Sequence, residues 1–251
     1  MNTRPKSTAE ALGLEISSFR SFEVDDLLPW FLNDYKLHEM MKSYSQCGQD
    51  IFVYNIMNGQ PGKFLDLGCS LPKKINNTYF LELNGWNGIS LDIQDFNNQW
   101  KERSCPFIQA NCLTEDYNSL LPKHYESNLI DYLTLDMEGC GDRFKLLQVI
   151  MNTNYEFKII TIEHDSYLGE SFVNEEKLPQ RQLLESKGYK LICSDISHPN
   201  APEMFFEDWW INPKYFDEKT IENWTFDRTS CDKIFQKLGI NYELASESKD
   251  R

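Results

Sequence analysis

Several things are scarce in this 251-residue sequence. No apolar run is long enough to span a bilayer. The opening stretch MNTRPKSTAEALGLE lacks the apolar core of a secretory leader. Both absences predict a cytoplasmic protein with no membrane span. Cations are few: 25 Lys and Arg stand against 39 Asp and Glu, for a net charge of −14. Such a surface repels phosphate backbones and anionic membranes, which excludes a general nucleic-acid binder. Lys73-Lys74 is the largest basic cluster. The seven cysteines are odd in number and scattered, with no Cys-x-x-Cys pair. A zinc site or a disulfide framework is therefore not expected, and most cysteines read as small buried apolar residues. Repeats and low-complexity linkers are lacking as well, and 41% apolar residues suffice for one domain with a large core.

What is present is an alternation. A helix is predicted over 23–42 and a second over 45–58, with Ser45 as its N-cap. From Lys63 onward short apolar runs take over, at 63–68, 88–93, 106–110, 131–136, 157–163, 189–195 and 204–211. Helical stretches near 77–84, 94–103, 115–121, 141–152 and 176–187 separate most of them, and Gly85 and Gly188 stand where helices should stop. Runs alternating with helices predict an α/β fold, a mainly parallel sheet covered on both faces. Only a short Pro-rich loop separates the last two runs, so they should pair antiparallel. Seven strands ending this way form the Rossmann-like sheet of class I methyltransferases. A helical appendix over 214–251 closes the chain, ending in the polar ELASESKDR.

In an open parallel sheet ligands bind beyond the carboxyl ends of the strands. Those ends are acidic here: Asp66, Asp92, Asp136, then Glu163-His164-Asp165. So many half-buried carboxylates are costly without compensation. Asp66-Leu67-Gly68 closes the first run, but only the first glycine of a G-x-G-x-x-G fingerprint is there, which disfavours NAD or FAD. Asp92 ends the second run, where an acid accepts hydrogen bonds from the ribose hydroxyls of an adenosine cofactor. S-adenosyl-L-methionine shares that ribose and has no pyrophosphate to cradle. Asn111 follows the third run, either reaching an adenine edge or serving as a turn residue.

The pieces YSQCGQD (44–50), FLDLG (64–68), NNTYFLELNGWNGISLDI (76–93), DYLTLDMEG (131–139), IITIEHD (159–165) and FEDWWINP (206–213) occur in an order and spacing that resemble the FkbM-type methyltransferases. Where small residues usually follow the first glycine of that family, this chain has Cys69-Ser70-Leu71-Pro72. The resemblance implies a methyltransferase domain over 44–213, preceded by a helical extension over 1–43. It implies an O-methyltransferase acting on sugar hydroxyls of glycans or on natural products. Gln46 and Asp50 would border the cofactor pocket, Asp66, Gly68, Asn77 and Thr78 would shape the loop around the methionine part, and Asp92 would hold the ribose. Asn77-Thr78 also suit a helix start. Asp136, His164 and Asp165 are the candidate catalytic groups. In metal-dependent relatives such as catechol O-methyltransferase a divalent ion sits at the ends of the fourth and fifth strands. Asp136, Glu163 and Asp165 would be the ligands of Mg²⁺ or Mn²⁺ here. The other course is a metal-free site in which Asp136 or His164 takes the acceptor's proton. Trp86 reads as core; of Trp209 and Trp210, one should face the core and the other the C-terminal helices or an acceptor groove. Whether the C-terminal helices form a lid or a homodimer interface stays open, as do a protein side-chain acceptor and a catalytically silent binding module.

Overall fold

The parallel core of the sheet is laid down by five strands: β1 (Lys63–Leu67), β2 (Asn87–Asp92), β3 (Phe107–Gln109), β4 (Leu129–Leu135) and β5 (Glu156–Glu163). They belong to a computed structural model that describes residues 42–198 and 201–240. β6 (Lys190–His198) and β7 (Ala201–Ile211) complete a seven-stranded sheet in the order β3-β2-β1-β4-β5-β7-β6. β1 pairs in parallel with both β2 and β4, whereas β7 runs antiparallel between β5 and β6. The seven apolar runs are these seven strands, and the chain has the Rossmann-like fold expected of them. Near-continuous apolar character is what strands covered on both faces require.

One face carries α3 (Tyr117–Leu120), α4 (Asp142–Met151) and α5 (Leu178–Ser186). Leu120, Leu146, Leu147, Ile150 and Leu184 there join Leu65, Leu133, Ile160 and Trp210 in one core cluster. The other face carries α1 (Gln49–Ile56), where Phe52 stacks on Trp209 with ring centroids 4.4 Å apart. Phe52 also meets Trp224 of α6 (Glu218–Trp224) edge-on at 5.2 Å. Trp209 and Trp210 thus go to opposite faces, as strand alternation demands. Both are fully buried, so neither lines a groove. Trp86 is 2% exposed and in the core.

Three local expectations are corrected. α1 starts at Gln49 behind a left-handed Gly48, not at Ser45. Ser45 is drawn instead to Asp50, whose carboxylate accepts from Ser43 Oγ (2.7 Å), Tyr44 N (2.7 Å), Ser45 Oγ (2.8 Å) and Ile51 N (2.8 Å). The helix expected over 94–103 shrinks to one 3₁₀ turn, Gln99–Glu102, because Asp92 and Asp95 take the N–H groups of Gln94 and Asn97 and so offer the backbone another partner. Finally, Cys47 and Cys231 form a disulfide with Cα atoms 5.0 Å apart, joining the segment before α1 to the first residue of α7 (Cys231–Leu238). A separation of 184 residues hid this pair from any spacing argument. Cys69, Cys105, Cys112 and Cys193 are buried free thiols, as read. The helix over 23–42 lies, Lys42 apart, outside the described residues, and so does the polar C-terminus.

Candidate functional site

The strand order reverses between β1 and β4, and a cleft of about 630 Å³ opens there at the carboxyl ends of β1 to β4. Its lining includes Gly68 after β1, Asp92 at the end of β2, Asn111 after β3, and Asp136 and Glu138 after β4. Lys74 is the one cation in that lining, against Asp92, Asp136, Glu138 and Asp142. A cleft with this balance suits a ligand of positive charge and repels a pyrophosphate.

Gly68 is required for a reason the sequence did not disclose. Its φ is +85°, and a Cβ there would lie 1.9 Å from the Asp136 carbonyl oxygen. It lets the end of β1 pass against the end of β4, which closes the floor of the cleft.

Asp92 is 9% exposed and ends β2. Oδ1 accepts from Gln94 N (2.9 Å) and Oδ2 from Ser70 N (2.9 Å). Each oxygen keeps a lone pair for a ligand diol. Asn111 Oδ1 accepts from Leu113 N at 3.0 Å, which leaves its amide N–H groups as donors.

The loop Cys69–Lys74, where the family pattern is left, is held by residues to which the sequence assigned no role. Besides the bond to Asp92, Trp100 Nε1 donates to Ser70 O (2.9 Å), and Asn76 Nδ2 donates to Cys69 O (3.2 Å) and Leu71 O (3.1 Å). Arg103 donates to Pro72 O (2.7 Å), Asn76 Oδ1 (3.1 Å) and Thr78 Oγ1 (3.2 Å), ion-pairs with Glu82 and lies over the Trp100 ring at 4.6 Å. No spacing rule points to Arg103, because its hydrogen-bond partners lie 21 to 31 residues away.

Other predicted cofactor residues do not line the cleft. Asp66 is 3% exposed and accepts from Thr78 Oγ1 (2.8 Å) and Ser90 Oγ (3.2 Å); burial lifts its pKa to about 6 despite these bonds. Asn77 Nδ2 donates to Thr134 Oγ1 (2.9 Å). Asp50 is spent on its own turn, and Gln46 is half-buried outside the lining. The neighbouring Gln49 reaches further: its Nε2 donates to Glu207 Oε2 on β7 at 2.7 Å.

The ends of β4 and β5 bring Asp136 and Glu163 into hydrogen-bond contact. Burial, with the charge of Asp136, raises the Glu163 pKa well above the usual range. Burial also raises Asp136 itself. Arg143 of α4 donates through Nη2 to Asp165 Oδ2 (2.5 Å) and Glu163 Oε2 (3.2 Å).

His164 points elsewhere and is fully buried. Its Nδ1 accepts from Ser166 N (3.2 Å), which leaves the proton of the neutral ring on Nε2. Nε2 faces Asp208 Oδ1 at 3.5 Å and Asp195 Oδ1 at 3.8 Å. The ring has no free lone pair for an acceptor's proton, so the expected base is not at the cleft. Among the described residues His164, Asp195 and Asp208 are the group whose metal-capable atoms lie within 4.8 Å of one another. Arg181 binds both Asp208 oxygens (2.7 and 2.8 Å) and Lys177 pairs with Asp195, so these carboxylates are already neutralised. The tautomer set by Ser166 further withholds the Nε2 lone pair from a metal.

No family model matches the chain, and no curated protein matches it. Solved structures of similar fold include WbdD, 16% identical, with 68% of this chain and 41% of that one covered at a TM-score of 0.46. The O-methyltransferase from Bacillus cereus, solved in complex with SAH, is 10% identical over 78% of this chain and 93% of its own, with a TM-score of 0.44. The SAH-bound Podospora anserina methyltransferase PaMTH1 is 10% identical over 84% and 99%, with a TM-score of 0.45. The chain therefore spans well under half of WbdD and nearly all of the other two.

Proposed function

We propose that this chain is an S-adenosylmethionine-dependent methyltransferase of the FkbM type that methylates a hydroxyl oxygen. The observation that carries this is the acidic cleft at the switch point, with Asp92 ending β2 inside it. Its volume is in the range of small-molecule sites. Its four carboxylates match a ligand that bears a sulfonium and an ammonium group, and no glycine-rich turn cradles a pyrophosphate. In this reading Asp92 accepts from the ribose hydroxyls and the Asn111 amide donates to the adenine edge. Gly68 and the loop Cys69–Lys74 wall the methionine part, Asp66, Asn77 and Thr78 brace the strand ends behind it, and Asp50 and Gln46 stand outside the lining.

When bound, S-adenosylmethionine supplies a methyl group activated on sulfur. The chain's part is to place the acceptor oxygen in line with it and to receive the proton. Asp136 is the carboxyl that meets both the cleft and a second acid, so it takes the acceptor's proton, and Glu163 steadies the resulting pair. The divalent ion expected on Asp136, Glu163 and Asp165 does not fit these residues, because Arg143 already bridges two of them.

A sugar hydroxyl is the preferred acceptor, supported by the ordered FkbM-like pieces. A small natural product or a protein side chain is the alternative within enzymes, and a binding module with this fold the alternative outside them. Calorimetry with S-adenosylmethionine tests the cofactor. Asp92→Ala should weaken binding about 10- to 100-fold, the loss of hydrogen bonds to a charged group. No binding to the parent chain would end the methyltransferase reading. Labelled cofactor offered to glycans, small hydroxylated compounds and peptides then identifies the acceptor.

A further inference from the structure

The ends of β4 and β5 hold three carboxyl groups, Asp136, Glu163 and Asp165, which is the donor set a hard divalent cation prefers. A cation is already among them. Arg143 stands in the first turn of α4 and is 1% exposed. Its Nη2 joins Asp165 at 2.5 Å and Glu163 at 3.2 Å, and Glu163 in turn contacts Asp136. The backbone around it is pinned: Glu176 accepts from Arg143 N (3.1 Å) and Phe144 N (2.8 Å), capping α4, and Gln180 braces Glu176 at 2.7 Å. The helix start that carries Arg143 is thereby fixed, and the guanidinium is held by its own bonds to Asp165 and Glu163. Nε and Nη1 have no acceptor among the described residues, so the charge of the three acids, rather than a complete hydrogen-bond set, holds the group in place. Asp136, Glu163 and Asp165 also do not converge as metal ligands do, and the guanidinium lies between Glu163 and Asp165.

We propose that Arg143 is the resident cation at the carboxyl ends of β4 and β5 and that it excludes a divalent metal ion from Asp136, Glu163 and Asp165. Under the methyl-transfer reading, on which only this last consequence rests, the fixed positive charge near the acceptor oxygen belongs to a side chain. Arg143 is then a positioning residue, acting through Glu163 and Asp165 on Asp136.

The test is a Mn²⁺ titration of the full chain followed by electron paramagnetic resonance, with no cofactor or acceptor added. Its failure is thereby separable from failure of the methyl-transfer reading, which calorimetry with the cofactor decides. The parent chain should show no Mn²⁺ site tighter than about 10⁻³ M, the weak end for oxygen-ligand sites. Arg143→Ser should gain a site at least about tenfold tighter, and adding Asp165→Asn should remove it. A Mn²⁺ site in the parent chain that Glu163→Gln or Asp165→Asn abolishes overturns the proposal, and that titration decides it even where Arg143→Ser does not fold. A folded Arg143→Ser chain with no gained site overturns it equally.

Discussion

Arg103 shows how much one side chain can organise around the switch-point cleft. It spans the loop Cys69–Lys74, the start of α2 (Tyr79–Leu83) and the acid Glu82, all with its side chain shielded from solvent. Removing one partner of a buried ion pair leaves the other charge uncompensated. Arg103→Ala should accordingly lower stability by about 3–5 kcal/mol, read by denaturant melts. If the variant still folds, the proposed function predicts a weaker affinity for S-adenosylmethionine, because the loop Cys69–Lys74 loses its anchor at Pro72 O. Asp92 was legible as a strand-ending acid in the right place. Arg103 was not, because its role arises from contacts between segments remote in sequence.

Adjacent acids on β7 behave in opposite ways because a strand sends them to opposite faces. Glu207 lies beside Gln49, and burial lifts its pKa to about 8. Asp208 is held below the usual range by His164 and Arg181, against the cost of its burial. The signs follow by linkage. Glu207 binds its proton more tightly in the folded chain, so its contribution to stability is complete below about pH 4.5 and is lost as pH rises towards 8. Asp208 contributes above its ordinary carboxylate range and loses that contribution as pH falls. Glu207→Gln keeps the neutral shape and a partner for Gln49. Thermal melts should therefore show a flatter pH dependence between about 4.5 and 8, with a higher Tm than the parent at the alkaline end. An unchanged slope would mean that Glu207 does not hold its proton in the folded chain. The strands themselves were legible because continuous apolar runs have few alternatives. The helix over 94–103 was not, since Asp92 and Asp95 compete for its N–H groups.

At the scale of the molecule, the Cys47–Cys231 bond ties α7 to the segment that precedes α1. That segment touches the residues just after the loop Cys69–Lys74, since Asn76 N donates to Tyr44 O at 2.9 Å. Cys47→Ser, or reduction of the parent, should cost about 2–5 kcal/mol and loosen the face formed by α1, α6 and α7. Melts with and without reductant measure this, and equal Tm values would show the bond to be idle. Disulfides are rare in the reducing cytosol, so the bond weighs against the cytoplasmic expectation. Among the described residues no helix is long and apolar enough to cross a membrane.

By itself the sequence determined the fold class, the number and direction of the strands, and the acids at their carboxyl ends. Local patterning is enough for these, because strand burial and helix stops are written in runs and glycines. Only the tertiary structure decided which acids meet the cleft and which are spent elsewhere. His164 and Asp165 are neighbours in the chain, yet one faces Asp208 and the other Arg143. A position at the end of a strand states where a side chain begins; the charges packed around it, brought from distant segments, state what it can do.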